Sequence, residues 1–237
     1  MKNSGSPSWM SVTQVRIFAP DEIPISLIRT QGITESIRSR FQFRNVTDTQ
    51  AVVPNDPRTT ITFSAGQFER ENEVFSIPSL SFEFRRILLT IEGTSEVAGT
   101  VFASIVDLLK TIDKRESIPE YVPLFWSEET SSVIRLGFPI ARFLERSPLE
   151  EASSTLEKWI ATSSIGARIT PSAIRFRVEY DQLPEELRSR KIQLLDKEVR
   201  IEMRLNTAPE DGVYFLQTPT SSDFHLEIIE FLSSLYG

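Results

Sequence analysis

The 237-residue sequence has no cysteine and only one histidine, His225. Without a thiol there can be no disulfide, thiolate nucleophile, zinc–thiolate site or iron–sulfur cluster. With one imidazole, any catalytic triad must use His225, and a metal could draw on a single histidine ligand. Glycine is scarce, at 9 positions. None of the glycine-rich loops that cradle phosphates, bind dinucleotides or present a nucleophilic serine occurs. No run of about 18 apolar residues is present, so no membrane-spanning helix is expected. The opening Met1-Lys2-Asn3-Ser4-Gly5-Ser6-Pro7 has no apolar stretch of the kind a secretory leader carries. These absences lead us to expect a cytoplasmic protein without a cofactor.

Charge of one sign is in mild deficit. There are 26 Lys+Arg against 33 Asp+Glu, a formal net charge of -7, which works against sequence-independent attraction to nucleic acid or anionic lipid. The hydrophobic fraction of 40% and charged fraction of 25% are those of an ordinary folded chain, long enough to bury a core without metal or disulfide.

Periodicity predicts an α+β protein, mainly antiparallel sheets with helices packed on one face. Residues 1–12 read as a flexible tail, with Trp9 its one anchor. A strand is expected from Thr13 to Ala19, then a helical stretch interrupted by Gly32 between Pro24 and Arg40. Thr59–Phe68 alternates as a strand. In Leu80–Glu92 the parity of Phe82 and Phe84 differs from that of Ile87, Leu89 and Ile91, which predicts a bulge near Arg85-Arg86. Val97, Val101, Ile105, Leu108 and Ile112 form a helical stripe after a Thr94 or Ser95 cap. Residues 114–126 are charged and proline-bearing and read as a linker between an N-terminal half, 13–113, and a C-terminal half, 127–237.

In the second half a strand is expected over Ser131–Phe143. Ser147-Pro148-Leu149-Glu150 then starts a helix as a capping box, with Gly166 its stop. The clearest alternation follows. Ile174, Phe176, Val178 and Tyr180 share one parity, Arg175, Arg177, Glu179 and Asp181 the other. Val199, Ile201, Met203 and Leu205 repeat this against Glu198, Arg200, Glu202 and Arg204. A short helix is expected between the two strands, over Pro184–Leu195. Asp211-Gly212 turns the chain into Val213–Gln217, and Thr220 with Asp223 caps a last helix striped by Phe224, Ile228, Phe231, Leu232 and Leu235. Both halves thus read as β-α-β-β-β-α units, suggesting a duplication. Tandem folds of the TATA-binding-protein type share that order, an analogy of element order that identifies no family.

Few groups offer chemistry. His225 reads as a partly exposed helix residue, because a catalytic histidine needs a nucleophile and an orienting acid beside it. Glu128-Glu129, Glu150-Glu151 and Glu185-Glu186 are sequence neighbours that cannot face one another across a cleft. Asn45-Val46-Thr47 matches a glycosylation acceptor by coincidence in a chain expected to lack a leader. Glu69, Glu71 and Glu73 alternate, which in a strand would put three carboxylates on one face, within the chemistry of a hard cation. Ser154 and Lys158 sit one helical turn apart on an ordinary amphipathic helix.

The most informative feature is a charged sheet face carrying Arg175, Arg177, Arg200, Glu202 and Arg204. It leads us to expect a non-enzymatic interaction or adaptor protein with a protein partner. Self-association through an exposed sheet edge is a further expectation. The alternatives are a carboxylate-dependent hydrolase or magnesium-dependent enzyme, and weak nucleic-acid binding. The last is disfavoured because Phe176 and Tyr180 lie on the parity opposite the arginines, where bases could not stack.

Overall fold

Nine strands form one antiparallel sheet in the order β2-β3-β4-β5-β1-β6-β9-β8-β7. The structure is a computed structural model describing residues 6–20, 22–49, 59–113, 120–136, 138–140, 142, 172–179, 185–189 and 197–234. The strands are β1 Trp9–Ile17, β2 Asn45–Thr49, β3 Thr60–Arg70, β4 Glu73–Glu83, β5 Arg86–Glu92, β6 Phe125–Arg135, β7 Ala173–Val178, β8 Lys197–Met203 and β9 Val213–Thr218. The helices are α1 Ile25–Ile28, α2 Gln31–Arg40, α3 Ser95–Ile112, α4 Glu185–Ser189 and α5 Ser222–Ser234, with a 3₁₀ turn at Pro209–Asp211. The expected α+β architecture is present: among the described residues, α1, α2, α3 and α5 all pack on the same face of the sheet.

β1 begins at Trp9, four residues inside the expected tail, and Val12 is fully buried. β1 and β6 pair over nine residues, Trp9↔Val133 to Ile17↔Phe125, so the sheet runs unbroken through both halves. From this central pair the strands run outward as β5-β4-β3-β2 on one side and β9-β8-β7 on the other. This symmetry is one of connectivity alone. β6 starts at Phe125, six residues before the expected Ser131. The expected capping-box helix at 147–166, the Ser154–Lys158 pair and Tyr180 lie outside the described residues.

Local chemistry explains the main departures from the sequence pattern. Glu71 and Asn72 form the β3–β4 hairpin turn, both at positive φ (53° and 71°), as a two-residue type I′ turn requires. Glu69 and Glu73 then fall on opposite faces, since Glu73 pairs with Arg70 and Glu69 with Val74. The three alternating carboxylates therefore do not converge, and no group of three metal-competent side chains occurs among the described residues. The parity change foreseen at Arg85-Arg86 is instead a two-residue turn, Phe84-Arg85, between separate strands β4 and β5. A real parity change sits at Ala65 (φ 55°) opposite Pro78. There the buried set moves from Ile61 and Phe63 to Gly66 on β3, and from Phe82 and Leu80 to Ile77 on β4. Gly66 is small because the Phe43 ring lies on it; a Cβ there would fall 2.4 Å from that ring. The stretch from Pro24 forms two helices, and Gly32 lies within the first turn of α2 rather than breaking it. Asn45–Thr49, outwardly only a glycosylation match, is the edge strand β2.

Two apolar clusters lie under the helices. The larger joins α1, α2 and α3 to β1 and β3–β5 and is rich in phenylalanine: Phe18, Phe41, Phe43, Phe63, Phe82 and Phe102 are all buried. The smaller joins Ile134, Leu136, Ile201, Tyr214 and Leu216 to Ile229 and Leu232 of α5.

Candidate interaction surface

β7 and β8 form because each alternates apolar and charged residues at period two, and their register keeps the alternation in phase. Six pairs run from Ala173↔Glu202 to Val178↔Lys197, with Ile174 opposite Ile201, Phe176 opposite Val199 and Arg175 opposite Arg200. β8 continues into β9 with Ile201 opposite Leu216, Arg200 opposite Gln217 and Glu202 opposite Phe215. Ile201 and Leu216 are buried in the smaller core, so the opposite parity, carrying the charged residues, faces away from α5. The sequence reading of this face holds in its register. Arg175, Arg177, Glu198, Arg200 and Glu202 share it.

Two particulars differ. β8 ends at Met203, so Arg204 and Leu205 belong to the following turn. Leu205 is 84% exposed rather than packed, because Asn206 at φ 63° turns the chain away from the sheet. Phe176 shares the helix-side parity but remains 57% exposed.

The electrostatics of this corner are unusual. Arg175 and Arg200 stand directly opposite each other on neighbouring strands, a like-charge arrangement that costs stability. Glu202 lies between them, its carboxylate contacting Arg200 and lying 3.9 Å from Arg175 Nη2. Arg177 Nε lies 3.4 Å from Glu179. The buried Arg200 Nε has no acceptor among the described residues. The exposed Arg204 anchors the turn through its backbone: its N–H donates to the Val213 carbonyl at 3.1 Å, and its carbonyl accepts from Thr207 Oγ1 at 2.6 Å. Towards the centre of the sheet, the line through Glu202 continues as Phe215, Val133 and Trp9 across β9, β6 and β1. Farther along, the same face is hydroxyl-rich. Asn45, Ser64, Ser79, Thr90 and Thr13 form one line, and Thr13 and Thr90 are hydrogen-bonded at 3.1 Å.

The covered face holds a buried polar seam that sequence reasoning did not find. His225 is fully buried, not partly exposed as expected. Its Nε2 meets Ser132 Oγ at 2.7 Å and its Nδ1 meets Thr218 Oγ1 at 2.7 Å, while Thr218 Oγ1 also meets Thr220 Oγ1 at 2.8 Å. Drawing His225 inward fixes the rotation of α5. Ser222, His225, Ile229 and Leu232 face the sheet, whereas Phe224 and Phe231 of the expected stripe are each 61% exposed. A neutral imidazole needs one donor and one acceptor, and two hydroxyls supply both. Desolvation by burial lowers the His225 pKa to about 4. Both ring nitrogens meet hydroxyls, and among the described residues no carboxylate hydrogen-bonds the ring.

The N-termini of α3 and α5 meet beside the histidine. Ser95 N–H donates to Ser222 Oγ at 3.0 Å and Ser222 N–H donates to Ser95 Oγ at 2.8 Å, so each helix start is capped by the other. This reciprocal pair takes the place of the expected Thr220 cap, while Thr94 caps α3 locally through Val97 N–H at 3.4 Å. Ser95 Oγ also donates to the buried Glu128 at 3.1 Å. Gln14 Nε2 donates to the other Glu128 oxygen, and Arg16 Nη2 donates to Gln14 Oε1 at 3.2 Å while its guanidinium lies 3.7 Å over the Phe102 ring. Burial lowers the Arg16 pKa, and the Glu128 charge opposes that shift. A signal existed in the sequence: on β6 the core-facing positions Glu128, Thr130 and Ser132 are polar where a core strand would be apolar. No protein-family model and no curated protein matches the chain.

Proposed function

We propose that the protein is a non-enzymatic binding protein that docks an acidic protein partner on the arginine-bearing corner of β7, β8 and the β8–β9 turn. The observation that carries this reading is the direct opposition of Arg175 and Arg200. Like charges across a strand pair lower stability, so the direct opposition of two arginines is an arrangement that neutral residues would improve on. Their value lies in what they meet. Glu202 lies against both, Glu198 and Glu179 offset Arg177, and Arg204 adds positive charge at the end of the same corner. Arginine is favoured at interfaces because its planar fork pairs bidentately with carboxylates. The half-buried Phe215 and the 39% exposed Trp9, farther along the same line, extend the corner with apolar area of the kind that anchors such contacts.

The test is a comparison of the wild-type protein with the triple variant Arg175→Gln/Arg200→Gln/Arg204→Gln on arrays of acidic peptides and of single-stranded DNA. Thermal unfolding of both proteins serves as the folding control. The expected result is acidic-peptide binding that the variant loses at a melting temperature no lower than that of the wild type. Equal binding by both proteins rejects this surface. Binding to DNA alone, with a steep salt dependence, rejects a protein partner in favour of nucleic acid.

A further inference from the structure

From the outer edge of β7 we infer that the partner is captured as an added strand: an extended segment of another protein, alternating acidic and apolar residues, that pairs with β7. The inference deepens the proposal above and rests on its arginines, adding a backbone component to them.

β7 is the last strand in the sheet order, and among the described residues it is paired on one side only, by β8. The directions of its backbone groups follow from a single hydrogen bond. Met203 N–H donates to the Ser172 carbonyl at 2.9 Å, which places Ser172 in a hydrogen-bonded pair with β8. Hydrogen-bonded and non-bonded positions alternate along an antiparallel strand. Ile174, Phe176 and Val178 therefore direct their N–H and C=O groups to β8, while Ala173 and Arg175 direct theirs outward.

Natural edges are usually blunted by proline, bulges, short length, inward-pointing charge or charged side chains, of which β7 has the last in Arg175 and Arg177. The opposite edge of this sheet follows that rule. β2 reads Asn-Val-Thr-Asp-Thr, and Asp48 is tied to Arg29 at 2.7 Å. β7 reads Ala-Ile-Arg-Phe-Arg-Val, with no proline, glycine or bulge over six consecutive pairs. It offers an incoming strand Arg175 and Arg177 on one face and the 57% exposed Phe176 on the other.

Charge selects the occupant. A second copy of β7 brought in antiparallel, with its apolar face on the helix side, would set arginine against arginine or alanine on the open face wherever the pairing is confined to Ala173–Val178. That arrangement is unfavourable. A strand with glutamate or aspartate at alternate positions sets carboxylates beside Arg175 and Arg177 and apolar side chains beside Ile174, Phe176 and Val178. Main-chain bonds would supply affinity and the alternate side chains specificity, as in other strand-addition complexes.

The experiment titrates full-length protein with three synthetic octapeptides by fluorescence anisotropy: alternating Val-Glu, alternating Val-Lys, and Val-Glu with N-methyl groups on alternate residues. The N-methyl peptide keeps its charge and apolar surface but cannot pair along one backbone edge. Val-Glu is expected to bind at least ~10-fold more tightly than either of the others. Arg175→Pro, which removes an outward N–H without touching a β7–β8 bond, is expected to weaken Val-Glu at least ~5-fold more than Arg175→Gln, with β8 amide exchange unchanged in both. Equal binding of the N-methyl and parent peptides overturns strand addition while leaving the arginine surface intact. Equal binding of Val-Lys and Val-Glu overturns both readings. Absence of binding by all three overturns strand addition and leaves the surface to the array experiment. Concentration-dependent dimerisation blocked by Arg175→Pro would mean that a second copy is the occupant, and overturns the inference.

Discussion

The two sides of the sheet around the β1–β6 pair solve the same packing problem with different materials. On the β3–β5 side, α1, α2 and α3 bury a cluster of phenylalanines against strands whose opposite face carries a serine and threonine stripe flanked by the Glu83–Arg86 ion pair. On the β7–β9 side, α5 covers a smaller cluster whose inner end is polar, at His225, Ser132 and Thr218, and the opposite face carries arginine and glutamate. The first side is built for stability. The second gives part of its stability to hydrogen-bonded orientation and to charges held in unfavourable opposition, and it is the side we assign to binding.

The sharpest way to break the comparison is to cut a phenylalanine from each side. Phe63→Ala empties a fully buried site between Phe43 and Phe82, and should cost about 3–5 kcal/mol in urea unfolding. Phe176→Ala, at an exposed position, should change stability by less than about 0.5 kcal/mol. Comparable losses at both sites would show the two sides to be equally packed.

The polar seam should make the second side sensitive to acid. His225 is neutral in the fold, with its pKa lowered from 6.5 to about 4, so between these values the unfolded chain binds the extra proton. The contribution is fully present above about pH 6.5, declines as pH falls, and levels off below about pH 4 after a loss of about 3 kcal/mol. His225→Gln can still hydrogen-bond both hydroxyls and does not titrate. The difference between the stability–pH curves of wild type and variant should be flat above pH 6.5 and slope between 4 and 6.5. A constant difference throughout would mean the imidazole is not held neutral.

Smaller effects sharpen the picture. Gly212→Ala should cost about 2 kcal/mol, because the position has φ 61° and a Cβ there would lie 2.4 Å from the Leu136 carbonyl oxygen. Its melting temperature measures how firmly the β8–β9 loop is held to the end of β6. Ser95→Ala and Ser222→Ala should each cost about 1 kcal/mol. Because each hydroxyl caps the other helix, the double variant should depart from additivity. Strict additivity would mean that the two caps act independently.

Much of the fold could be read from the sequence where one physical rule governed. Ile61 and Phe63, Ile201 of β8, and Val97, Val101 and Ile105 of α3 all lie where period-two or helical spacing puts them, because apolar burial dominates at those positions. The reading failed where a polar contact outweighed hydrophobicity. Helical spacing assigned Phe224 and Phe231 to the core of α5, but His225, held by two hydroxyls from separate strands, turns the helix and leaves both rings exposed. Glu69 and Glu73 were separated by a turn whose left-handed backbone at Glu71 and Asn72 carries no hydrophobic signature.

The sequence by itself determined the amphipathic faces, the charged parity of β7 and β8, and the absence of thiol chemistry, because these follow from residue identity and a repeat of two or 3.6. Only the tertiary structure decided that β1 and β6 join both halves into one sheet, that Arg175 meets Arg200, and that the α3 and α5 starts cap each other beside Glu128. Those are contacts between residues far apart in the chain. Which strand lies beside which is set by the summed packing of the whole molecule, and no local pattern encodes it.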